Sequence, residues 1–312
     1  MNIKKLAAIA LSYHDYPDFN SKLQEAAKWL EHAAYIGSDI AVFPETMNLY
    51  CGDGDGNPRA LTMDEAALDS LAPVEMLIDC AVKNSIAVVI PLVVREKDGL
   101  FNSFFVFSKK GDYLGYYRKM FPTPEEVKGG VKIAPPPDKL IEWEGLKLGG
   151  AICFDSMFEE VFTSQSAIGA DLFIITSLTP GGALLKSYAL KYSTPIVMAY
   201  PAWSMIIDRD GLTKAAAGYR SETLRFGFGS PIAAADINFD RQSFHHAGNQ
   251  EKILEIERKY GTRVKIVFDQ ENSLFYLESC SLEITVADII AEFKMTTYVQ
   301  YMAECRKFYR CE

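Results

Sequence analysis

Short apolar runs of strand length alternate with segments whose apolar residues recur at helical spacing, and this alternation limits the possible folds more than any other feature. Strand-like runs lie at Ile3–Leu11, Ile40–Phe43, Ile86–Arg95, Asn102–Ser108 and Tyr113–Arg118. Helical patterns cover Ser21–Ile36, where Leu23, Ala26, Ala27, Leu30, Ala33 and Ala34 share a face, and Met63–Asn84. A triple proline at Pro135–Pro137 marks a loop before strands near Ile141 and Leu148. Beyond it come a helix from Ser156 through Ile168, strand Leu172–Thr176, a helix near Leu184–Tyr192, and strands Ile196–Ala199, Met205–Asp208 and Ile232–Ile237. The pattern predicts a layered α/β domain. With 312 residues, 49% of them hydrophobic, the chain can bury a sizeable core. It contains no internal repeat or low-complexity segment.

Three of these strands stop at a residue able to do chemistry. In GGAICFDSMFEE the apolar run ends at Cys153. A cysteine at a strand-to-helix turn lies near backbone N–H groups that favour its thiolate. The alternative is a small apolar core residue, the commoner fate of an intracellular cysteine. In SDIAVFPETMNLY, Pro44 ends the strand and delivers Glu45 at its carboxyl end. In YLGYYRKMFPTPEE, a run of aromatics ends at Arg118 and Lys119. Open α/β sheets collect their chemistry at such strand ends. A carboxylate, an ammonium and a thiol are sufficient for attack on an amide carbon: the carboxylate takes the thiol proton and later activates water, and the ammonium stabilises the oxyanion.

FPE at Glu45, YRK at Lys119 and ICFD at Cys153 resemble, in order and spacing, the three catalytic boxes of the nitrilase superfamily, the carbon–nitrogen hydrolases. The resemblance continues through FEE after the cysteine, GADLFIITS (Gly169–Ser177), WSMIIDRDG (Trp203–Gly211) and SPIAAADINFDR (Ser230–Arg241). It implies a four-layer α-β-β-α sandwich, with Glu45 as general base, Lys119 as oxyanion stabiliser and Cys153 as nucleophile. A second glutamate follows the lysine in many members. The pattern K-x-x-P-T-x-x-E selects Glu126 over Glu125, while a solvated acidic turn is the other reading of this loop. Residues 1–245 are expected to form the carbon–nitrogen hydrolase domain. Residues 246–312 form a C-terminal extension that packs on the core or on a neighbouring subunit, so a homodimer or higher homo-oligomer is expected.

Phe154 and Asp155 after the cysteine are similar to the amidase and carbamoylase branch, where nitrilases proper have Trp-Glu; the PTPEE loop instead looks nitrilase-like. Small-molecule amides, carbamoyl compounds or nitriles are the implied substrates. Met157 stands where many amidase-like members carry Arg, which argues against a carboxylate-bearing substrate, and Lys191 stands where Glu is usual. Tyr50, Phe121, Phe154, Ser177, Tyr200 and Trp203, all near strand ends, are candidate pocket walls or core residues.

Other classes find little footing. A net charge of −9 argues against a nucleic-acid partner. No apolar run is long enough to span a bilayer. The first residues read as a core strand and not a signal peptide, so a cytoplasmic location is expected. The six cysteines, at 51, 80, 153, 280, 305 and 311, include no CxxC and read as reduced thiols. GDGDGN at Gly52–Asn57 lacks the calcium-loop spacing. Paired His245 and His246 have no ligand cluster beside them, so no metal and no cofactor is expected.

Overall fold

A computed structural model describes residues 1–12, 16–49, 61–218 and 230–310. The first half runs β1 (Ile3–Ile9), α1 (Phe19–Tyr35), β2 (Ile40–Val42), α2 (Met63–Ala66), α3 (Glu75–Lys83), β3 (Ala87–Glu96), β4 (Gly99–Phe107), β5 (Tyr113–Arg118) and α4 (Pro124–Lys128). The second continues β6 (Ile141–Trp143), β7 (Leu146–Ile152), α5 (Glu159–Ala167), β8 (Leu172–Thr176), α6 (Gly182–Tyr192), β9 (Ile196–Ala199), β10 (Ser204–Ile207), β11 (Thr213–Ala217) and β12 (Ile232–Asn238). The last part is β13 (Arg241–His245), α7 (Gln250–Tyr260), β14 (Val264–Asp269), β15 (Leu274–Ser279), α8 (Val286–Phe293) and α9 (Tyr298–Arg310).

Two six-stranded sheets have the orders β12-β1-β2-β3-β4-β5 and β11-β10-β9-β8-β7-β6. Their centres are parallel, with Leu6 opposite Ile40 and Leu148 opposite Leu172, and antiparallel hairpins extend them outward. The buried stretches of the central strands, such as Leu6–Ile9 of β1 and Leu148–Ile152 of β7, are apolar because both faces are covered. On one outer face, Leu23, Ala26 and Leu30 of α1 and Leu77 of α3 pack on Ile9, Phe43 and Val88. On the other, Phe162 of α5 meets Phe173 of β8 edge-on and stacks on Tyr188 of α6. Between the sheets, a Cβ on Gly150 would lie 2.6 Å from both Phe104 and Tyr117. Only glycine lets the two inner faces approach there. The four layers are therefore helix, sheet, sheet and helix.

Asp18 caps α1 by accepting from the Ser21 N–H at 2.7 Å, so the helix begins at Phe19, two residues before the expected start. The helical pattern over Met63–Asn84 resolves into two helices. Leu68 between them bridges to Val94, its N–H donating to the Val93 carbonyl, and Pro73 opens a 3-10 turn before α3. The apolar spacing is genuine, but a backbone bonded sideways to a strand cannot also continue a helix.

The chain divides into two compact units, one holding residues 5–190 and 194–235, the other residues 1–4, 191–193 and those from Asp236 onward. The smaller unit has its own sheet, β13-β15-β14, and its own core of Phe244, Ile253, Ile256, Phe275, Leu277 and Ile289. β13, which the sequence pattern does not reveal, is the third strand of this sheet. Among the described residues, no helix is long and apolar enough to cross a membrane.

Candidate active site

Three strand ends in the larger unit bring the ionisable residues together. Glu45 follows β2, and the chain turns sharply behind it, since Thr46 takes a φ of 47°, unusual for a β-branched residue. Lys119 follows β5, anchored by its N–H to the Asn102 carbonyl. Cys153 follows β7 with a φ of 48°, a left-handed conformation that costs a non-glycine residue about 1 kcal/mol or more. The cysteine opens a 3-10 turn, Cys153–Met157, and the α-helix proper begins only at Glu159. The expectation of a helix starting at Ser156, with its N-terminus beside the thiol, is corrected accordingly.

The Lys119 ammonium is 2% exposed and lies 2.8 Å from Glu45 Oε1 and 2.8 Å from Glu126 Oε2. Burial alone would push its pKa down, but the carboxylates of Glu45 and Glu126 outweigh burial and hold it above the ordinary lysine value. Glu126 sits in the first turn of α4, in a reciprocal cap: its Oε2 accepts from the Thr123 N–H at 2.7 Å while Thr123 Oγ1 accepts from the Glu126 N–H. Glu125, its neighbour, is exposed and lies along the edge of the same cavity. Asn102, buried in the aromatic strand β4, donates from Nδ2 to Glu45 Oε1 and to Glu126 Oε1, each at 2.8 Å. The two carboxylates fix which way this amide points, since its oxygen would repel both.

The thiol is governed by a different set of neighbours. Burial and the Glu45 carboxylate push the Cys153 pKa up, opposed by Lys119, by the Thr179 hydroxyl at 3.5 Å from Sγ and by the Leu178 N–H. That same N–H donates to Glu45 Oε2 at 3.1 Å. Asp155, wholly buried, ties the Cys153 turn to the Lys119 loop. Its Oδ2 accepts from the Ile152 N–H and the Tyr117 hydroxyl, each at 2.9 Å, and its Oδ1 from the Phe121 N–H at 2.7 Å. Burial pushes its pKa up to about 6 despite these donors.

Glu45, Lys119, Glu126 and Cys153 open onto one cavity of about 430 Å³, walled by Leu49, Leu61, Met63 and Leu178. Its volume falls within the usual range for small-molecule sites. The aromatic wall candidates are placed elsewhere. Phe121 and Phe154 both pack on Phe158, one stacked at 4.0 Å and one edge-on at 5.3 Å, and neither lines this cavity. Ser177 is buried behind it, its hydroxyl bonded to the Thr179 carbonyl at 2.6 Å. Tyr200 and Trp203 flank the β9–β10 turn, where Ser204 Oγ bonds the Tyr200 backbone, and are likewise not lining residues. Tyr50, Cys51 and Gly52–Asn57 lie outside the described residues. Met157 is 62% exposed. His245 stacks on Tyr301, and the His246 ring bonds the Leu274 carbonyl. The four described cysteines are free thiols. Asn102, Thr179 and Leu178 were not singled out in the sequence; a lone Asn inside FNSFF is the one signal that was available, because a buried amide needs polar partners.

With fold and site in place, the kinship is plain. The sequence matches the carbon–nitrogen hydrolase family over residues 5–241, and the chain belongs to that family. Nitrilase 2 of Arabidopsis thaliana is 32% identical over 177 residues, 51% of this chain and 50% of that protein. The match thus spans about half the length of the curated relatives. The amidase of Nesterenkonia sp. superposes with a TM-score of 0.61 at 18% identity, covering 82% of this chain and 96% of that one. Nit3 of Saccharomyces cerevisiae, from branch 10 of the nitrilase superfamily, gives 0.61 at 20% identity, covering 86% and 97%. These two likenesses establish a nitrilase-superfamily fold.

Proposed function

We propose that this chain hydrolyses a non-peptide C–N bond of a small amide or N-carbamoyl compound through a thioester on Cys153. The observation that carries this reading is the gathering of Cys153, Glu45, Lys119 and Glu126 on one cavity. Glu45 takes the thiol proton, and Sγ attacks the carbonyl carbon. Lys119 then remains paired with Glu126, whose own oxygens are held by Thr123 and Asn102, and an ammonium proton turns to the developing oxyanion. Collapse breaks the C–N bond, and the leaving amine or ammonia carries off the proton from Glu45. Water next gives a proton to Glu45 and attacks the thioester; the acid departs and the thiol regains its proton. Glu126 orients the lysine throughout.

Phe154 and Asp155 favour an amide. The similarity to Nitrilase 2 supports a second reading, in which a nitrile forms a thioimidate and yields acid and ammonia after two waters enter. Matched amide and nitrile pairs assayed for ammonia separate the two. Faster amide turnover, with a hydroxamate formed when hydroxylamine intercepts the thioester, supports the first reading. Faster nitrile turnover supports the second. Inertness toward both, with an unreactive Cys153, would leave a binding module.

A further inference from the structure

We propose that Thr179 sets the reactivity of the nucleophile, its hydroxyl donating a hydrogen bond to Cys153 Sγ from a turn that Ser177 holds in place. This rests on the reading of Cys153 as the nucleophile. Ser177, Leu178 and Thr179 follow β8, the strand that pairs with β7 beside the cysteine. Ser177 is 2% exposed, and its hydroxyl is committed on both sides: it donates to the Thr179 carbonyl at 2.6 Å and accepts from the Thr179 N–H at 3.0 Å. This closed serine turn fixes the backbone of Thr179. Among the described residues, the Thr179 hydroxyl then has two polar neighbours, Cys153 Sγ at 3.5 Å and Ser177 Oγ at 3.4 Å. Because the Ser177 proton is already engaged with a carbonyl, the Thr179 proton is the one free to move between the two. With a thiol at Cys153, either acceptor serves. Once the thiol proton has gone to Glu45, the anionic sulfur is the stronger acceptor and captures it. The Leu178 N–H reinforces the sulfur from the same turn.

The charged groups acting on the sulfur are Glu45 from the end of β2 and Lys119 from the end of β5; Glu125 and Glu126 of α4 line the same cavity, and the Asp155 carboxylate of the cysteine's own turn is bonded to Ile152, Tyr117 and Phe121. All are retained in the variants below, so differences between variants report the hydroxyl alone.

The test is the pH dependence of iodoacetamide alkylation, read on the Cys153 peptide by mass spectrometry alongside steady-state kinetics. Thr179→Val should raise the alkylation midpoint by about one pH unit, the scale of a lost hydrogen bond to a charged group. It should lower kcat by about tenfold with KM little changed, and Thr179→Ser should restore both. Thr179→Ala makes smaller demands on packing and replaces the valine variant if that one fails to fold. An unmoved midpoint in the folded valine or alanine variant overturns the assignment of Thr179. Full turnover in Cys153→Ala would overturn the nucleophile reading instead, so the two failures are told apart.

Discussion

Two lysine–glutamate contacts in this molecule have the same chemistry and opposite character. Lys119 and its carboxylates in the larger unit are nearly sealed from solvent, whereas Lys259 and Glu292 in the smaller unit pair with side chains 51% and 39% exposed. Water already solvates the exposed pair, and forming it changes little. Sealing an ammonium costs several kcal/mol before any partner repays it, so such a group persists only with more than one ligand. Lys119 has two carboxylates, and each carboxylate is bonded again by Asn102. The smaller unit packs an apolar core of Phe244, Phe275 and Ile256, and buried polar residues there such as Ser243 and Asn249 are neutral groups bonded to hydroxyls or backbone carbonyls. In the proposed scheme the buried ion cluster around Lys119 is the place where the chemistry is done.

The largest effect that could break this contrast comes from Lys119→Met. Removing the ammonium strands two buried carboxylates, at a cost of about 3–5 kcal/mol in stability, read by urea denaturation. Turnover should fall by roughly a hundredfold or more. Lys259→Met, in the exposed pair, should leave turnover unchanged. Equal losses in both variants would erase the distinction.

Next in size is the asymmetry within the network. Glu45→Gln keeps the volume but cannot take the thiol proton, and kcat should fall by about a hundredfold or more. Glu126→Gln, which touches the lysine but not the sulfur in this scheme, should cost less. Asn102→Ala removes a donor that both carboxylates share and should lower kcat while leaving the exposed Lys259–Glu292 pair untouched. A loss for Glu126→Gln greater than for Glu45→Gln would exchange their roles.

Asp155 gives a smaller effect with a definite sign. Its folded pKa of about 6 lies above the ordinary aspartate value of 3.8, so the folded protein holds this proton more tightly than the unfolded chain. Its contribution is therefore most favourable below pH 3.8 and is lost as pH rises toward 6, a span of roughly 3 kcal/mol for a shift of about two units. Asp155→Asn should remove that slope between pH 4 and 6 in urea denaturation. It should also lower stability at every pH, because an amide offers one acceptor where Tyr117, Ile152 and Phe121 present three donors. An unchanged slope would mean that Asp155 titrates normally.

Glu45, Lys119 and Cys153 were legible in the sequence because each ends an apolar run, a local pattern that survives without knowledge of packing. The α/β alternation was legible for the same reason, whereas the stacking of two sheets in four layers came only from the family resemblance. Glu126 was readable from its position after Pro-Thr, which the structure resolves into a capping box. Asn102, Asp155 and Thr179 were not read as site residues, because their roles are contacts with residues distant in the chain: Asn102 with Glu45, Asp155 with Tyr117, Thr179 with Cys153. Phe121 and Phe154 misled because an aromatic at a strand end looks the same whether it faces a cavity or another ring, and here both chose Phe158. The helical reading of Met63–Asn84 failed at Leu68 because side-chain spacing carries no record of a backbone bonded to β3.

The most direct measurement is mass spectrometry of the protein quenched during turnover of a small amide. An acyl group should appear on the Cys153 peptide, at a mass set by the amide's acid portion, and vanish with hydroxylamine as hydroxamate forms. Steady turnover with no adduct on Cys153, undiminished in Cys153→Ala, would contradict the thioester route.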